Sequence, residues 1–129
     1  MAQIKIYGQK AHIKSLREEL SNIIHSCIVE ALSLPKEKRF HRFFAMDKED
    51  FIYPNSRSNS YIIIEIIMIK GRSKEAKREL IKLLFKSLKE LLNIESEDIE
   101  ITIFEIEASN FAFRGVCADE AKLNYKIGV

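Results

Sequence analysis

One structural plan occurs twice in this chain, at an offset of about 60 residues. Each copy has the apolar pattern of a strand, a long amphipathic helix and a second strand. The residues that match across the offset are of the same type, and they include Ile4 and Ile64, Ile6 and Ile66, Leu20 and Leu80, Glu30 and Glu90, and Leu32 and Leu92. This internal repeat restricts the fold more than any other feature of the sequence.

The repeat predicts an α+β fold, a tandem βαβ repeat. Its strands and helices are expected over residues 4–7, 16–32 and 39–44 in the first copy, and over 61–69, 74–92 and 99–106 in the second. A crossover helix joins parallel strands, so two such units predict a four-stranded sheet with two helices on one face. The other face is left bare, and 129 residues offer no third layer to bury it.

The chain is expected to form a single domain over residues 1–129, with pseudo-repeats over 1–60 and 61–106 and a tail over 107–129. The tail carries Phe111, Phe113, Tyr125 and Ile127. An apolar tail of this length is expected to dock on its own sheet or on a neighbouring subunit.

The composition argues against several classes of function. The net charge of +2 is too small to indicate a nucleic-acid partner, and no apolar run is long enough for a membrane partner. The beginning of the sequence lacks the pattern of a secretory signal. Cys27 and Cys117 form no metal or redox motif. We therefore expect a cytoplasmic protein without a metal or a cofactor.

Some residues of the first copy receive specific predictions. Ser15 to Glu18 read as a capping box that opens the first helix. Cys27 falls in the apolar stripe of that helix and is expected to be a small core residue. His25 falls on the opposite face and is expected to be solvated.

The strand predicted over residues 39–44 alternates basic and aromatic side chains. Arg39, His41 and Phe43 share one face, whereas Phe40, Arg42 and Phe44 share the other. A buried cation needs a partner. Two interpretations stay open, namely a ligand role or ion pairing between subunits with Glu65, Glu100 or Glu105. His41 by itself is interpreted as a structural histidine with a satisfied ring.

Three segments, taken in order and at their spacing, resemble the tautomerase superfamily. Residues 30–40 resemble its helix–proline–strand junction, residues 69–75 resemble the end of its third strand and the start of its second helix, and residues 109–115 resemble its late aromatic motif. The resemblance covers nearly the whole chain, and length and spacing are most similar to the malonate semialdehyde decarboxylase branch.

The resemblance implies a homotrimer in which three bare sheet faces close into a barrel-like core. It also implies a proton-transferring amine on an N-terminal proline, and cationic side chains that hold the carboxylate of a small substrate. This sequence departs from that pattern. Ala2 stands in place of the proline, Lys38 in place of an acidic residue, Lys70 in place of one of two arginines, and Phe111 in place of tryptophan, whereas Arg72 is retained.

The candidate site follows from these residues. Lys70 and Arg72 flank Gly71 where a strand leads into a helix, and they are expected to bind a carboxylate. The other candidate substrate-binding residues are Arg39, Arg42, Phe111 and Phe113, and Ala2 marks the position of the missing catalytic proline. No Ser–His–Asp set, glycine-rich phosphate loop or carboxylate pair at a useful spacing offers another chemistry.

Two functional hypotheses result. The first is an enzyme with weak keto–enol tautomerase, isomerase or decarboxylase-like activity on small 2-oxo or enol acids. The second is a trimeric binding or scaffold protein that keeps the fold without the chemistry. The replacement by Ala2 favours the second hypothesis, whereas the retained Lys70-Gly71-Arg72 segment favours a working pocket.

Overall fold

The computed structural model describes residues 2–121. Its helices and main strands, in chain order, are β1 (Ala2–Gln9), α1 (Lys10–Leu32), β2 (His41–Met46), β3 (Ile62–Ile69), α2 (Lys74–Leu92) and β4 (Ile99–Ile106). A short hairpin of β5 (Ala112–Phe113) and β6 (Val116–Cys117) follows. The part of the tail that contains Tyr125 and Ile127 lies outside the described residues. None of the helices between residues 2 and 121 is long and apolar enough to cross a bilayer.

The four main strands form one mixed sheet in the order β2-β1-β3-β4. The pairs β1–β2 and β3–β4 are parallel, and each is joined by its crossover helix, while the two central strands β1 and β3 are antiparallel. Residues Ile4 and Ile66 face each other across this centre. The predicted α+β fold, with a four-stranded sheet and two helices on one face, is confirmed.

The core lies between the sheet and the two helices. Alternate residues of the central strands point into it, as the period-two pattern requires. The fully buried side chains include Ile4, Ile6, Ile64 and Ile66 of the sheet, Leu20 and Ile24 of α1, and Leu80, Leu84 and Leu88 of α2. Burial of each such side chain contributes about 1.5–3 kcal/mol, and Cys27 is confirmed as a buried member of the same cluster.

The structure extends the repeat beyond the sequence matches. Both long helices end in a residue with left-handed backbone, Ser33 and Asn93, each at φ 54°. Each second strand leads into a short 3₁₀ turn, Lys48–Asp50 in the first half and Ala108–Asn110 in the second. The halves therefore correspond as far as Phe51 and Phe111, the residues that follow these turns.

The start of α1 corrects the sequence prediction. The helix begins at Lys10 rather than near residue 16, and Gln9 is its N-cap residue. The capping box is wrong, because Ser15 lies inside the helix and its hydroxyl donates to the carbonyl of His12. Strand β1 leads into α1 without a loop. Gly8 allows this close connection, since a Cβ atom there would lie 2.7 Å from Cγ1 of Ile13.

Two further expectations about the first half are corrected. His25 is buried, with 5% of its surface exposed, because the segment that follows α1 folds back over it. Its Nε2 lies 2.6 Å from the carbonyl oxygen of Lys36, a contact that helical periodicity does not reveal. Strand β2 begins at His41 rather than at residue 39, so Arg39 and Phe40 precede the strand.

The side of the sheet opposite the helices carries a mixed set of side chains. Tyr7 stacks on Phe44 with ring centroids 4.8 Å apart, and its hydroxyl donates to Glu65 over 2.7 Å. Phe44 and Phe104 remain 39% and 44% exposed. We call this side the open face. Its residues are Gln3, Lys5 and Tyr7 of β1, Arg42 and Phe44 of β2, Ile63, Glu65 and Ile67 of β3, and Glu100, Thr102 and Phe104 of β4.

The sheet has two ends that the repeat relates to each other. At one end β1 and β2 begin and β3 and β4 finish, so that Ala2 lies beside Met68. At the other end β1 and β2 finish and β3 and β4 begin, next to Tyr61. We refer to these as the Ala2 end and the Tyr61 end.

Candidate functional site

A cavity of about 330 Å³ lies at the Ala2 end. Its walls come from three parts of the chain, namely β1, the segment before β2 and the β5–β6 hairpin. The lining residues are Gln3, Lys38, Phe40, Phe111, Ala112, Phe113 and Arg114. A second cavity of about 350 Å³ adjoins it, because Gln3 and Phe40 line both; its other lining residues are Arg39, His41 and Arg42.

The β5–β6 hairpin holds the aromatic wall in place. Its turn residues Arg114 and Gly115 have φ values of 52° and 83°, the left-handed pair typical of a type I′ turn. The guanidinium of Arg114 lies 4.8 Å from the ring centre of Phe113, and the rings of Phe111 and Phe113 are 5.8 Å apart. A hydrogen bond from the Ala118 amide to the Phe111 carbonyl fixes the base of the hairpin.

The charges at these two cavities are cationic. Lys38 and Arg114 line the first cavity and Arg42 the second, and no carboxylate is among the lining residues of either. One guanidinium nitrogen of Arg42 donates to Oε1 of Gln3 at 3.2 Å. Such a combination of cations with phenylalanine rings suits an anion that has an apolar body.

Arg39 is oriented differently from Arg42. Its guanidinium donates to Oδ1 of Asn22 at 2.7 Å and to the Ser21 hydroxyl at 3.4 Å, both on α1. Its side chain therefore lines the second cavity while its charged group is held at the helix.

Lys70 lies at the same end of the sheet but lines neither cavity. Its amide donates to the Ile106 carbonyl at 2.8 Å, and its ammonium lies 2.7 Å from Oε1 of Glu107. The hydrogen bond and the charge of Glu107 raise the pKa of Lys70. The carboxylate of Glu107 thus occupies the place that the sequence assigned to a substrate carboxylate.

Arg72 is 7% exposed and lines neither cavity. Its Nη1 donates to the carbonyl oxygen of Leu32, 2.6 Å away at the end of α1. The bond satisfies a carbonyl that the helix terminus leaves without an internal partner. Arg72 therefore links the second half of the chain to the helix of the first half.

Ala2 lies at the start of β1 with its side chain buried against the helices. Its neighbour Gln3 points to the opposite side of the strand and lines both cavities. Met1, and with it the terminal amine, lies outside the described residues.

His41 has a satisfied ring, as the sequence interpretation predicted. Its Nδ1 lies 2.8 Å from the Ser21 hydroxyl. Burial, together with the nearby His25 and Arg39, lowers the pKa of His41 to about 4. The ring is neutral near pH 7 and serves packing between β2 and α1.

The three acidic residues considered as partners for the basic strand all have partners within the chain. Glu65 accepts from Tyr7 at 2.7 Å. Glu100 accepts from the Tyr61 hydroxyl at 2.5 Å, and Glu105 lies 2.7 Å from the ammonium of Lys77. Pairing between subunits therefore stays a prediction, and so does a ligand role for Arg42.

Sequence reasoning missed part of the site. It selected Arg42, Phe111 and Phe113, which the structure brings together around Phe40 and Gln3. It did not select Lys38 or Arg114 as binding residues. The available signal was the Arg114-Gly115 pair after alternating aromatic residues, which is a hairpin turn that returns the chain toward its own sheet.

One group between residues 2 and 121 has the donor atoms for a metal ion. Atoms of Cys117, Asp119 and Glu120 lie within 4.8 Å of one another, and all three residues are exposed. They lie after the hairpin, line neither cavity and contribute nothing to the chemistry described above.

Comparison with known proteins agrees with the fold. Residues 38–114 match the family described as tautomerase enzymes, which is more than half of the chain. The chain belongs to the tautomerase family. This match includes Lys38, the 69–75 segment and the first strand of the β5–β6 hairpin, as far as Arg114.

Among solved structures, the chain is similar to two malonate semialdehyde decarboxylases and to a fused 4-OT. It is similar to a malonate semialdehyde decarboxylase inhibited by 3-bromopropiolate, with 25% identity, a TM-score of 0.79, and coverage of 91% of this chain and 92% of the other. It is also similar to the malonate semialdehyde decarboxylase studied for its decarboxylase and hydratase activities, with 18% identity, a TM-score of 0.79 and coverage of 89% and 93%. A fused 4-OT, described as an asymmetric trimer, has 19% identity, a TM-score of 0.80 and coverage of 91% and 96%.

Proposed function

We propose that this protein binds small 2-oxo or enol acids at the Ala2 end and catalyses a weak keto–enol tautomerase or decarboxylase-like reaction on them. One observation carries the proposal, namely the cavity that combines phenylalanine walls with Lys38 and Arg114 and has no acidic lining residue. Its volume of about 330 Å³ fits a small organic acid. Membership of the tautomerase family supports this class of chemistry.

The binding contributions can be separated. A charge-assisted hydrogen bond from Lys38 or Arg114 to a carboxylate contributes about 1.5–3 kcal/mol. Phe111 and Phe113 bury the carbon skeleton, at about 25 cal/mol per Å² of apolar surface. Arg42, in the adjoining cavity, is placed to hold a second polar group of the same ligand.

The proton transfer needs a base, and we propose the amine of Ala2 after removal of Met1. A free α-amino group has a pKa of about 7.7–8.0, so part of it is neutral near pH 7. A primary amine lacks the ring that holds a proline nitrogen in place, so we expect it to be positioned less well. Positioned proton transfer contributes about 10²–10⁴-fold to a rate, so we expect a low activity in the wild type.

The test measures ketonisation of phenylenolpyruvate by ultraviolet absorbance, for the wild type and for Ala2→Pro. Intact mass must confirm that Met1 is absent from both proteins. We expect Ala2→Pro to raise the rate about tenfold or more, within the range of positioned proton transfer. A fully processed Ala2→Pro protein with no gain would rule out the terminal amine as the base.

We further propose a homotrimer closed through the open face. Phe44 and Phe104 are large apolar side chains that this face leaves exposed. An exposed apolar patch on a sheet is typical of a protein interface. The fused 4-OT that this chain resembles is described as a trimer.

Light scattering tests the assembly. We expect a trimer mass for the wild type and a smaller mass for Phe104→Glu. Leu91→Glu is the matched control, because Leu91 is 67% exposed on α2, away from the open face. A monomeric wild type at micromolar concentration would contradict the proposal, and so would equal effects of the two substitutions.

A binding protein without catalysis is the second candidate. It is favoured by the internal partners of Lys70 and Arg72, which leave fewer free cations than the tautomerase resemblance implies. Calorimetric binding of pyruvate with no measurable turnover, in both the wild type and Ala2→Pro, would select this candidate. The cytoplasmic location stays a prediction, and the unpaired Cys27 and Cys117 are compatible with it.

A further inference from the structure

The repeat places a further cavity at the Tyr61 end of the sheet, at the opposite end of β1 from Ala2. It has a volume of about 290 Å³. Its wall is the segment after the first 3₁₀ turn, the counterpart of the aromatic hairpin segment after the second turn. Phe51 corresponds to Phe111, and Tyr53 corresponds to Phe113. The two cavities therefore occupy related positions in the two halves of the chain.

The Tyr61-end cavity differs in chemistry from its counterpart. Four uncharged polar side chains line it. Three of them contact one another, namely the amide of Gln9, the hydroxyl of Tyr53 and the amide of Asn59. Gln9 Nε2 lies within hydrogen-bond distance of the Tyr53 hydroxyl. The contacts of Asn59 Oδ1 are long, 3.5 Å to Gln9 and 3.4 Å to Tyr53. Such long bonds are weak, so the hydroxyl groups of a ligand can replace them at small cost.

Packed aromatic rings support this cavity. Phe51 is buried, and its ring lies 5.4 Å from the rings of both Tyr53 and Tyr61. Tyr53 and Tyr61 are themselves 5.0 Å apart. Three mutually packed rings fix the position of the Tyr53 hydroxyl, so the polar groups of the cavity are organised before a ligand arrives.

Two cations lie at its rim. The ammonium of Lys48 has no ion-pair partner in the described part of the chain. Arg57 donates to Glu100 at 3.3 Å and to Ser56 at 2.8 Å. Its Nε is buried and has no hydrogen-bond partner within residues 2–121. Lys48 is therefore the cation that is free to bind an anion from solution.

We propose that the Tyr61-end cavity is a second ligand site, specific for a small anion that carries several hydroxyl groups, such as a sugar acid or a sugar phosphate. Gln9, Tyr53 and Asn59 bind the hydroxyl groups, because amides and a phenol offer both donors and acceptors. Lys48 binds the carboxylate or the phosphate. The Phe51 ring packs against the carbon-bound hydrogens. The proposal stands apart from the proposed catalytic function of the Ala2 end.

The experiment is a binding titration followed by amide chemical shifts in the full chain. The probes are gluconate, glucose 6-phosphate, inorganic phosphate and glucose. We expect gluconate or glucose 6-phosphate to shift the amides of residues 51–59, and to leave those of 111–114 unchanged. The relative affinities of gluconate and glucose 6-phosphate show whether the site prefers a carboxylate or a phosphate. Glucose should bind more weakly because it lacks the charge.

Three variants locate the contacts. Lys48→Ala is expected to weaken binding about tenfold, as the loss of one charge-assisted bond implies. Tyr53→Phe keeps the packed ring and removes only the hydroxyl, so it tests that group with the aromatic packing retained. Arg114→Ala, at the opposite end, is the matched control and should leave binding of the hydroxylated anion unchanged.

Three results would overturn the proposal. One is no shift of residues 51–59 with either hydroxylated anion at millimolar concentration, as would occur if another subunit covered this end. A second is equal binding of inorganic phosphate and glucose 6-phosphate, which would leave the hydroxyl-binding groups without a role. The third is a loss of affinity in Arg114→Ala but not in Lys48→Ala, which would place the binding at the Ala2 end.

Discussion

The two ends of the sheet share a scaffold and differ in chemistry. At the Ala2 end Lys38 and Phe40 line an open cavity. Their counterparts in the repeat at the Tyr61 end are Asp98 and Glu100, and both are engaged within the chain. Asp98 is buried and accepts from the backbone amide and the hydroxyl of Ser58, at 2.8 and 2.5 Å.

These partners tie two parts of the chain together at the Tyr61 end. The Ser58–Asp98 bonds fasten the loop before β3 to the segment that leads into β4. Glu100 accepts from Tyr61, and burial together with this carboxylate raises the pKa of Tyr61 to about 12. The two ends show that one repeated βαβ scaffold can carry an apolar cationic cavity at one end and a polar, internally bonded cavity at the other. The chemistry of each cavity is thus set by a few end residues rather than by the repeated unit.

The largest expected effect is on stability, and it concerns Arg72 and the residue at its position in the first copy of the repeat, His12. Arg72 is buried and donates to the Leu32 carbonyl, whereas Nε2 of His12 is buried without a partner among the described residues. We expect Arg72→Ala to lower the free energy of unfolding by about 2–3 kcal/mol, since the carbonyl loses a charged donor. His12→Ala should cost clearly less. Urea denaturation of both variants makes the comparison.

The same pair of variants checks the sequence prediction that Arg72 binds substrate. An Arg72→Ala protein of unchanged stability but reduced affinity for pyruvate would contradict the structural role assigned here. Because Arg72 lines neither cavity, we expect the opposite, namely a stability loss and near-normal affinity in the folded fraction.

The next effect concerns the two strand-to-helix connections. Strand β3 reaches α2 through a loop of residues 70–73, whereas β1 enters α1 directly. Gly8 makes the direct connection possible, because an added Cβ would meet the fully buried Ile13. We expect Gly8→Ala to lower the free energy of unfolding by about 1–3 kcal/mol through overpacking. Addition of a methyl group at exposed Ser96 (Ser96→Thr) should change it little, and equal effects in thermal denaturation would contradict this explanation.

A smaller effect is a pH-dependent loss of stability that arises in β2 but not in β4. His41 in β2 corresponds to Ile101 in β4, which cannot titrate. The pKa of His41 is about 4 in the folded chain and about 6.5 in an unfolded one. Above pH 6.5 the ring is neutral in both states, so its protonation does not change the free energy of unfolding. As the pH falls from 6.5 to 4, only the unfolded state takes up the proton, so stability falls, and it levels off below 4.

Because the ring is partly exposed, solvent screening weakens the effect of the pKa shift. We expect the free energy of unfolding to be lower by about 1 kcal/mol at pH 5 than at pH 7. The measurement is the free energy of unfolding at pH 7 and pH 5 for the wild type and for His41→Ile, which copies the second half. The variant should lose less stability on acidification than the wild type. The same loss in both proteins would exclude His41 as the group responsible.

Much of the fold was predictable from local pattern. The bounds of α2 and β4 agree with the prediction, because Ser73 caps α2 and both elements have clear apolar periodicity. The start of α1 was not predictable in this way. Gln9, the N-cap residue, makes no side-chain capping bond. The close packing at Gly8 that replaces a loop depends on Ile13 in three dimensions.

The site was predictable only in part. Arg42, Phe111 and Phe113 follow from strand alternation and an aromatic motif, and they do meet. Arg72 looked like an anion-binding residue because its partner, the Leu32 carbonyl, lies in the other half of the chain. Lys38 and Arg114 become neighbours of one cavity only when the hairpin folds back. Contacts of this long range leave no periodic signal in the sequence.

The central claim is that the Ala2 end is the carboxylate site of this tautomerase-family protein. Calorimetric titration with phenylpyruvate of the wild type, Arg114→Ala and Lys48→Ala tests it most directly. We predict that Arg114→Ala weakens binding about tenfold, as loss of one charge-assisted hydrogen bond implies, and that Lys48→Ala leaves it unchanged. Unchanged affinity in Arg114→Ala, with a loss in Lys48→Ala, would contradict the claim and assign the carboxylate to the Tyr61 end.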